Sequence, residues 1–189
     1  SEAMLELLLR EGFQEAADGE EADVVVVNSC TVTATGDQKA RQALRRAKKQ
    51  NSGAVAVLTG CWPQAFPGEA AEFQEADIVL GTKNRAALLP HILSYFSHKQ
   101  RIVDIAPHEA GEKFEAMRVS SFHGRTRAFL KIEDGCNRFC SYCIIPYARG
   151  PVRSLPLAEA AEQARRLAGT GYREVVLTGI EISSWGQDL

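Results

Sequence analysis

Residues 54–61 have the sequence AVAVLTGC, in which five apolar residues precede a threonine, a glycine and a cysteine. A similar run, DVVVVNSC, occupies residues 23–30, and a third short apolar run lies at 78–80. Stretches with helical periodicity separate these runs. Strands that are apolar throughout are typical of parallel sheets with helices on both faces. We therefore predict a doubly wound α/β domain over residues 1–98.

A second domain is predicted after a linker. Residues 99–125 lose the periodicity and contain proline and glycine, which indicates a linker. Residues 126–189 then predict a strand, a long loop, a helix and a second strand. This order is the opening of a (β/α) barrel, a fold that places its chemistry in the loops after its strands.

Composition limits the class of protein. The 189 residues are 45% apolar, enough for two small cores, and the formal net charge is -2. Nucleic-acid binding would therefore need a local basic patch.

The apolar runs are too short to cross a bilayer and no signal segment opens the chain, so we expect a cytoplasmic protein. We also expect both ends to be cut from a longer chain.

The cysteines indicate metal binding. There are five, and Cys136, Cys140 and Cys143 form a Cys-x3-Cys-x2-Cys pattern on the predicted loop after a strand. Three such thiolates can hold three corners of a [4Fe-4S] cluster and leave one iron open. An open iron can bind S-adenosylmethionine and pass an electron to its sulfonium, which gives a 5′-deoxyadenosyl radical.

A structural zinc site is the alternative. It would need a fourth ligand such as His123. Such sites usually combine two Cys-x2-Cys pairs, and this loop supplies one. The cluster is therefore the favoured interpretation.

Several motifs resemble a known family. Residues 135–143, GCNRFCSYC, resemble the radical S-adenosylmethionine signature, and KIEDGC at 131–136, IIPYARG at 144–150 and LTGI at 177–180 resemble the methylthiotransferases in particular. The resemblance implies a TIM-like radical S-adenosylmethionine barrel for the second domain. It also implies two contacts with S-adenosylmethionine. An aromatic residue lies against the adenine of this cofactor, and a backbone segment lies near the cofactor's amino end. The residues concerned are Tyr142, Thr178, Gly179 and Glu181. For Tyr142 the alternative is packing, and for Glu181 an ordinary surface carboxylate.

Cys30 and Cys61 are candidate ligands of a second cluster. Taken alone, each could be a small buried apolar residue. Both follow strand ends of the same predicted sheet, where ligands gather. Their surroundings resemble the amino-terminal domain of the methylthiotransferases, in which three cysteines hold an auxiliary [4Fe-4S] cluster. The family's third cysteine precedes the helix at Ser1 and is absent, so we expect this chain to load that cluster weakly and to be inactive by itself.

The resemblance also implies a reaction and its partners. One cluster generates the radical, the other presents a methylated sulfur, and a methylthio group is transferred to C2 of N6-threonylcarbamoyladenosine beside the anticodon of tRNA. N6-isopentenyladenosine in tRNA and an aspartate of a ribosomal protein are the alternatives. A one-electron reductant such as flavodoxin or ferredoxin is the expected redox partner.

Other residues have two interpretations. A basic run on the second predicted helix could contact phosphates, but a solvated helix face is favoured. The run consists of Lys39, Arg41, Arg45, Arg46, Lys48 and Lys49. Arg149 and Arg153 could meet substrate or cofactor, or form internal ion pairs. Trp62 and Trp185 could stack on a base, although packing is the favoured interpretation.

Overall fold

The first part of the chain folds around a parallel sheet. The computed structural model describes residues 1–17, 19–31, 34–117, 119 and 126–189. The strands lie in the order β1-β2-β3-β4 and all pair in parallel. They are β1 (Val24–Ser29), β2 (Val55–Gly60), β3 (Ile78–Leu80) and β4 (Ile102–Asp104). The helices of this part are α1 (Glu2–Arg10), α2 (Ala34–Gln50), α3 (Cys61–Ala65), α4 (Pro67–Glu72) and α5 (Leu88–His98), the last preceded by a 3-10 turn at Arg85–Ala87.

Both faces of this sheet are covered. Every residue of β2 is buried, and its side chains alternate between two apolar clusters. On one face Leu58 packs with residues of α2, α3 and α4, including Trp62. On the other face Val57 packs with residues of α1 and α5, including Ile92. The predicted parallel sheet between two helical layers is therefore confirmed.

Helix α2 uses much of its basic run for packing. The Arg41 guanidinium lies 5.1 Å from the ring centroid of Trp62, and Arg45 pairs with Glu75 at 2.7 Å. Lys48 Nζ lies 2.6 Å from a carboxylate oxygen of Asp77. Half of the run thus ties α2 to the body of the fold.

The expected linker begins with a strand. Residues Ile102–Asp104 pair with β3 and complete the first sheet. The Arg101 side chain donates hydrogen bonds to the carbonyl oxygens of Ala76 and Phe73, which fixes the start of the strand. Ile102 and Val103 are only two consecutive apolar residues, too few to predict a strand, so it was missed. His123 lies outside the described residues.

The second part is a β-loop-α-β unit, as predicted. Strand β5 (Ala128–Lys131) pairs in parallel with β8 (Val175–Thr178), and α7 (Leu157–Gly169) connects them. Their shared core includes Leu130, Leu155 and Leu167. Trp185 packs against this core and donates its indole N–H to the Leu155 carbonyl at 3.0 Å. Packing is thus the role of both tryptophans.

The long loop has internal structure that the sequence did not predict. Strand β6 (Glu133–Asp134) and strand β7 (Arg153–Ser154) form a short antiparallel pair. Helix α6 (Ile145–Arg149) lies between them. The β6–β7 pair joins the two ends of the long loop, and the cysteine-containing segment lies between them. Across the described ranges, no helix has the length and apolar character needed to cross a membrane.

Candidate functional site

The cysteine loop, residues 136–143, leaves the fold through a narrow neck. The Cys136 N–H donates to the Gly150 carbonyl at 3.0 Å, and the Val152 N–H donates to Asn137 Oδ1 at 3.1 Å. Gly135 has φ +91°, and a Cβ atom there would lie 2.0 Å from the Pro151 carbonyl oxygen. Only glycine fits this position, so the neck holds the first cysteine in a fixed place.

The three cysteines of the loop are free thiols with different exposure. Cys136 is buried, Cys143 is half-buried and Cys140 is exposed. The Cys143 N–H donates to the Cys140 carbonyl at 2.9 Å, which makes a tight turn between them. Within the described ranges, no three Cys, His, Asp or Glu side chains converge on the site of a single metal ion. The donor set suits an iron-sulfur cluster, and its convergence on a cubane stays a prediction.

Tyr142 does not pack against the fold. Its side chain is 91% exposed, whereas the neighbouring Phe139 and Tyr147 rings contact each other edge-to-face with centroids 5.8 Å apart. An exposed ring beside a solvent-facing cysteine is free to stack on a ligand. Tyr142 thus makes little packing contact with the described part of the chain, and adenine binding stays a prediction.

Glu133 holds the candidate cofactor segment 178–181. It is fully buried, and its Oε2 atom accepts a hydrogen bond from the Glu181 N–H at 2.8 Å. Burial raises the pKa of Glu133, and the N–H groups of Glu181 and Ile180 partly oppose that rise. A Cβ atom on Gly179 would lie 2.6 Å from Oε2, so glycine permits this close approach. The segment's backbone is thus fixed by a buried carboxylate.

Glu181 is half-buried and ion-paired, and its role in cofactor binding stays a prediction. Its carboxylate lies 3.4 Å from the Arg138 Nε atom and accepts a hydrogen bond from the Ser183 hydroxyl. Arg138 belongs to the cysteine loop. Strand β8 also connects to the strand before that loop, since the Ile132 N–H donates to the Thr178 carbonyl at 2.9 Å. The cysteine loop and segment 178–181 therefore lie side by side.

Cys30 and Cys61 lie together at the carboxyl edge of the first sheet. Each comes directly after a paired residue, because Ser29 is in register with Gly60. The Ser29 hydroxyl donates to the Thr59 carbonyl at 2.8 Å, and a Cβ atom on Gly60 would lie 2.3 Å from the Ser29 carbonyl. Cys61 is buried and Cys30 is exposed. The structure brings the two together, and their role as ligands stays a prediction.

Arg149 connects this pair to the second part of the chain. Its Nη1 atom lies 3.4 Å from Asp134 Oδ2, and its guanidinium lies close enough to the Cys61 and Cys30 thiols for both to act on its charge. Burial opposes the charge on Arg149, but Asp134 and Cys61 raise its pKa. Helix α6, which ends at Arg149, packs against α3, which begins at Cys61.

Asp134 is the anchor of a buried charge group. Its Oδ2 atom lies 2.7 Å from Lys131 Nζ and 3.4 Å from Arg85 and Arg149. Burial alone would raise the pKa of Asp134, yet the surrounding cations Lys131, Arg149 and Arg85 hold it well below its usual range. Burial lowers the pKa of Lys131. The three cations, Lys131, Arg85 and Arg149, line a cavity of about 280 Å³ between the two parts of the chain.

Arg153 is not available to substrate. It is buried, donates to the Arg149 carbonyl at 2.8 Å and lies 3.5 Å from Glu112. The internal ion pair, one of its two interpretations, is therefore the one observed. Sequence reasoning assigned no role to Glu133 or Asp134. Two acids directly after an apolar strand and before a cysteine were the available signal, since burying them requires partners.

Two family models match the chain. The model described as uncharacterized protein family UPF0004 matches residues 1–81, which include Cys30 and Cys61. The model of the radical SAM superfamily matches residues 130–187, which include the cysteine loop and segment 178–181. Residues 82–129, between the two matches, include α5 and β4, which complete the first part of the fold.

Curated relatives match across both parts. The chain is 42% identical over 189 residues to the threonylcarbamoyladenosine tRNA methylthiotransferase MtaB of Bacillus subtilis (strain 168), covering 100% of this chain and 42% of the relative. It is 40% identical to the MtaB of Aquifex aeolicus (strain VF5), covering 95% and 44%. It is 35% identical to a tRNA-2-methylthio-N(6)-dimethylallyladenosine synthase of Pelotomaculum thermopropionicum, covering 100% and 43%. The chain thus spans about two fifths of the length of these relatives.

A solved structure shares the fold. The radical S-adenosylmethionine methyltransferase TsrM from Kitasatospora setae superimposes with a TM-score of 0.55 at 17% identity, covering 95% of this chain and 40% of that one. This likeness concerns the fold alone. The two family models and the curated relatives together supply the assignment, and the chain belongs to the radical S-adenosylmethionine methylthiotransferase family.

Proposed function

We propose that the complete protein inserts a methylthio group at C2 of N6-threonylcarbamoyladenosine beside the anticodon of tRNA, and that this chain carries its two cluster sites. Relatives named for that reaction support the substrate. The observation that carries the proposal is the packing of α6, the helix after the cysteine loop, against α3, the helix that begins at Cys61. Sulfur insertion needs a radical source and a sulfur donor within reach of one substrate, and this arrangement meets that need.

Cys136, Cys140 and Cys143 would hold the first [4Fe-4S] cluster. When bound, the cluster and S-adenosylmethionine supply the 5′-deoxyadenosyl radical that removes hydrogen from an unreactive carbon. The neck at Gly135 fixes the first thiol in place. Tyr142 would cover the adenine, and Glu133 keeps the backbone at Thr178, Gly179 and Glu181 in position for the amino end of the cofactor.

Cys30 and Cys61 would be two ligands of the auxiliary [4Fe-4S] cluster. Their position at one sheet edge supports this role. A cubane held by a third thiolate is expected in the complete protein, since two thiolates hold it poorly. The auxiliary site would present the sulfur that receives a methyl group before transfer.

The partners follow from the chemistry. The transferred group ends on tRNA, and each radical requires one electron, so we include a one-electron reductant such as flavodoxin or ferredoxin. Thiolate ligands and a tRNA substrate both favour a reducing, cytoplasmic location. Three exposed residues of the α2 basic run make no ion pair among the described residues and are available for phosphates: Lys39, Arg46 and Lys49.

N6-isopentenyladenosine in tRNA is the second candidate substrate. The relative from Pelotomaculum thermopropionicum, at 35% identity, is named for a dimethylallyladenosine product and supports it. An aspartate of a ribosomal protein is a third possibility within the family. A zinc-binding module without catalysis remains the alternative from a different class.

Metal analysis separates the enzyme from the zinc module. The complete protein, reconstituted anaerobically with iron and sulfide, should bind about two clusters and cleave S-adenosylmethionine under strong reductant. Zinc at one atom per chain without sulfide would contradict the enzyme.

Nucleoside mass spectrometry identifies the substrate. In cells that lack the gene, tRNA should lose the methylthio form of threonylcarbamoyladenosine and keep that of isopentenyladenosine. The reverse result would assign the second substrate instead.

A further inference from the structure

The structure assigns Arg149 as a positioning residue of the auxiliary site: its guanidinium, anchored on Asp134, donates to the sulfur of Cys61 and supplies the positive charge that an anionic cluster needs. The inference rests on the proposed two-cluster function. It concerns a residue that the second part of the chain contributes to a site in the first part.

The guanidinium is held from several sides. Its Nη1 atom lies 3.4 Å from Asp134 Oδ2, and the Gly135 N–H donates to the other oxygen of that carboxylate at 3.0 Å. The backbone of the same helix is tied to the first part of the chain, because the Thr82 hydroxyl donates to the Ala148 carbonyl at 2.7 Å. Arg153 donates to the Arg149 carbonyl at 2.8 Å. A donor so fixed loses little freedom when it binds a ligand.

Arg149 has spare donor capacity. A guanidinium has five N–H groups, and its Nε is buried with no hydrogen-bond partner among the residues that the structure describes. A buried donor without a partner is costly, so it indicates an acceptor that the protein chain itself does not supply. Sulfide of a bound cluster is such an acceptor, and Cys61 and Cys30 are the candidate cluster ligands beside Arg149.

The charges of the group favour an anion. Lys131, Arg85 and Arg149 surround Asp134, and Glu115 lies 4.0 Å from Arg85. Three cations and two carboxylates leave one positive charge within this group. A [4Fe-4S] cluster with thiolate ligands is anionic and gains from a nearby cation. Hydrogen bonds and charge near the sulfurs also set the reduction potential of such a cluster.

The test measures the potential of the auxiliary cluster alone. In the complete gene product, Cys136, Cys140 and Cys143 are changed to alanine to remove the other cluster. Arg149→Gln, Arg149→Lys and Thr82→Val are compared in this background after anaerobic reconstitution. Iron and sulfide per chain and the midpoint potential from EPR-monitored titration are the readouts.

Arg149→Gln should shift the midpoint to a more negative potential, because losing the cation and its N–H donors disfavours the added electron. Arg149→Lys should retain most of the parental potential. Thr82→Val removes a hydrogen bond across the same boundary without removing charge, so it should leave the potential unchanged. Loss of iron in Arg149→Gln but in neither of the other variants would also support the inference.

A parental potential in Arg149→Gln would overturn the inference and leave the two-cluster proposal standing. Equal loss of iron in all three variants would also overturn it, because the boundary as a whole would then be responsible. Absence of iron from the parent protein would contradict the proposed auxiliary cluster, and it would also overturn the inference.

Discussion

The Glu133 Oε2 atom accepts a hydrogen bond from the backbone N–H of Glu181 at 2.8 Å. Glu133 begins strand β6, whereas Glu181 follows the end of strand β8, 48 residues further along the chain. Glu133 precedes the neck of the cysteine loop, and Glu181 ends the candidate cofactor segment. One buried carboxylate therefore sets the spacing between the two halves of the proposed radical S-adenosylmethionine site.

Glu133→Ala should destabilise the protein. It leaves the Glu181 and Ile180 N–H groups without their acceptor, at a cost of about 2–4 kcal/mol in the free energy of unfolding. Urea denaturation of the complete protein measures this change. Glu159→Ala is the matched control, since Glu159 is exposed on α7 and should change the value by about 0.5 kcal/mol or less. An equal effect in both variants would contradict the role of Glu133.

Gly135→Ala should disrupt the neck of the cysteine loop. The new Cβ would lie 2.0 Å from the Pro151 carbonyl at a φ of +91°, so the backbone must move. We expect a loss of about 2 kcal/mol or more and a lower iron content after reconstitution. Gly68→Ala, in a helix with open space around the added methyl, should be neutral or slightly stabilising. Wild-type iron content in Gly135→Ala would show that the neck can relax.

The sequence predicted the elements that have strong local patterns. Strands β1 and β2 follow from their apolar runs, α7 from its stripe of alanines and leucines, and the cysteine loop from its spacing. Strand β4 was missed because it offers only two consecutive apolar residues, and the β6–β7 pair because its strands consist of polar and charged residues. The charge group around Asp134 was missed for another reason: Arg85 and Arg149 are distant from Lys131 and Asp134 in sequence, and the group forms only in the folded chain.

Acid should weaken the contact made by Glu112. Burial alone would raise the pKa of Glu112, but hydrogen bonds from His108 and Lys83 lower it to about 2. A depressed carboxylate pKa gives stability that is present above its unfolded value of 4.5 and lost as the pH falls toward 2. Glu112→Gln should therefore reduce the free energy of unfolding at pH 6 by about 2–3 kcal/mol, given its low exposure.

The pH dependence of the free energy of unfolding separates the contribution of the Glu112 charge from a destabilisation that does not depend on charge. Urea denaturation at several pH values between 6 and 3 should show the difference between wild type and Glu112→Gln shrinking as the pH falls. His108 adds to the acid sensitivity of the wild type, because burial lowers its pKa and its neutral form is favoured in the folded chain. A difference that stays constant down to pH 3 would show that the carboxylate charge is irrelevant.

Tyr142→Ala should weaken S-adenosylmethionine binding without affecting stability. The ring is 91% exposed, so its removal costs the fold almost nothing, whereas stacking of an aromatic ring on a base contributes about 1–3 kcal/mol. The dissociation constant of the reconstituted complete protein should therefore rise by about 5- to 150-fold, and Tyr142→Phe should retain wild-type affinity. Tyr147→Ala, whose ring contacts Phe139, is the control for loss of an exposed aromatic. Unchanged affinity in Tyr142→Ala would remove the tyrosine from the adenine site and leave its exposure to be explained by contact with tRNA.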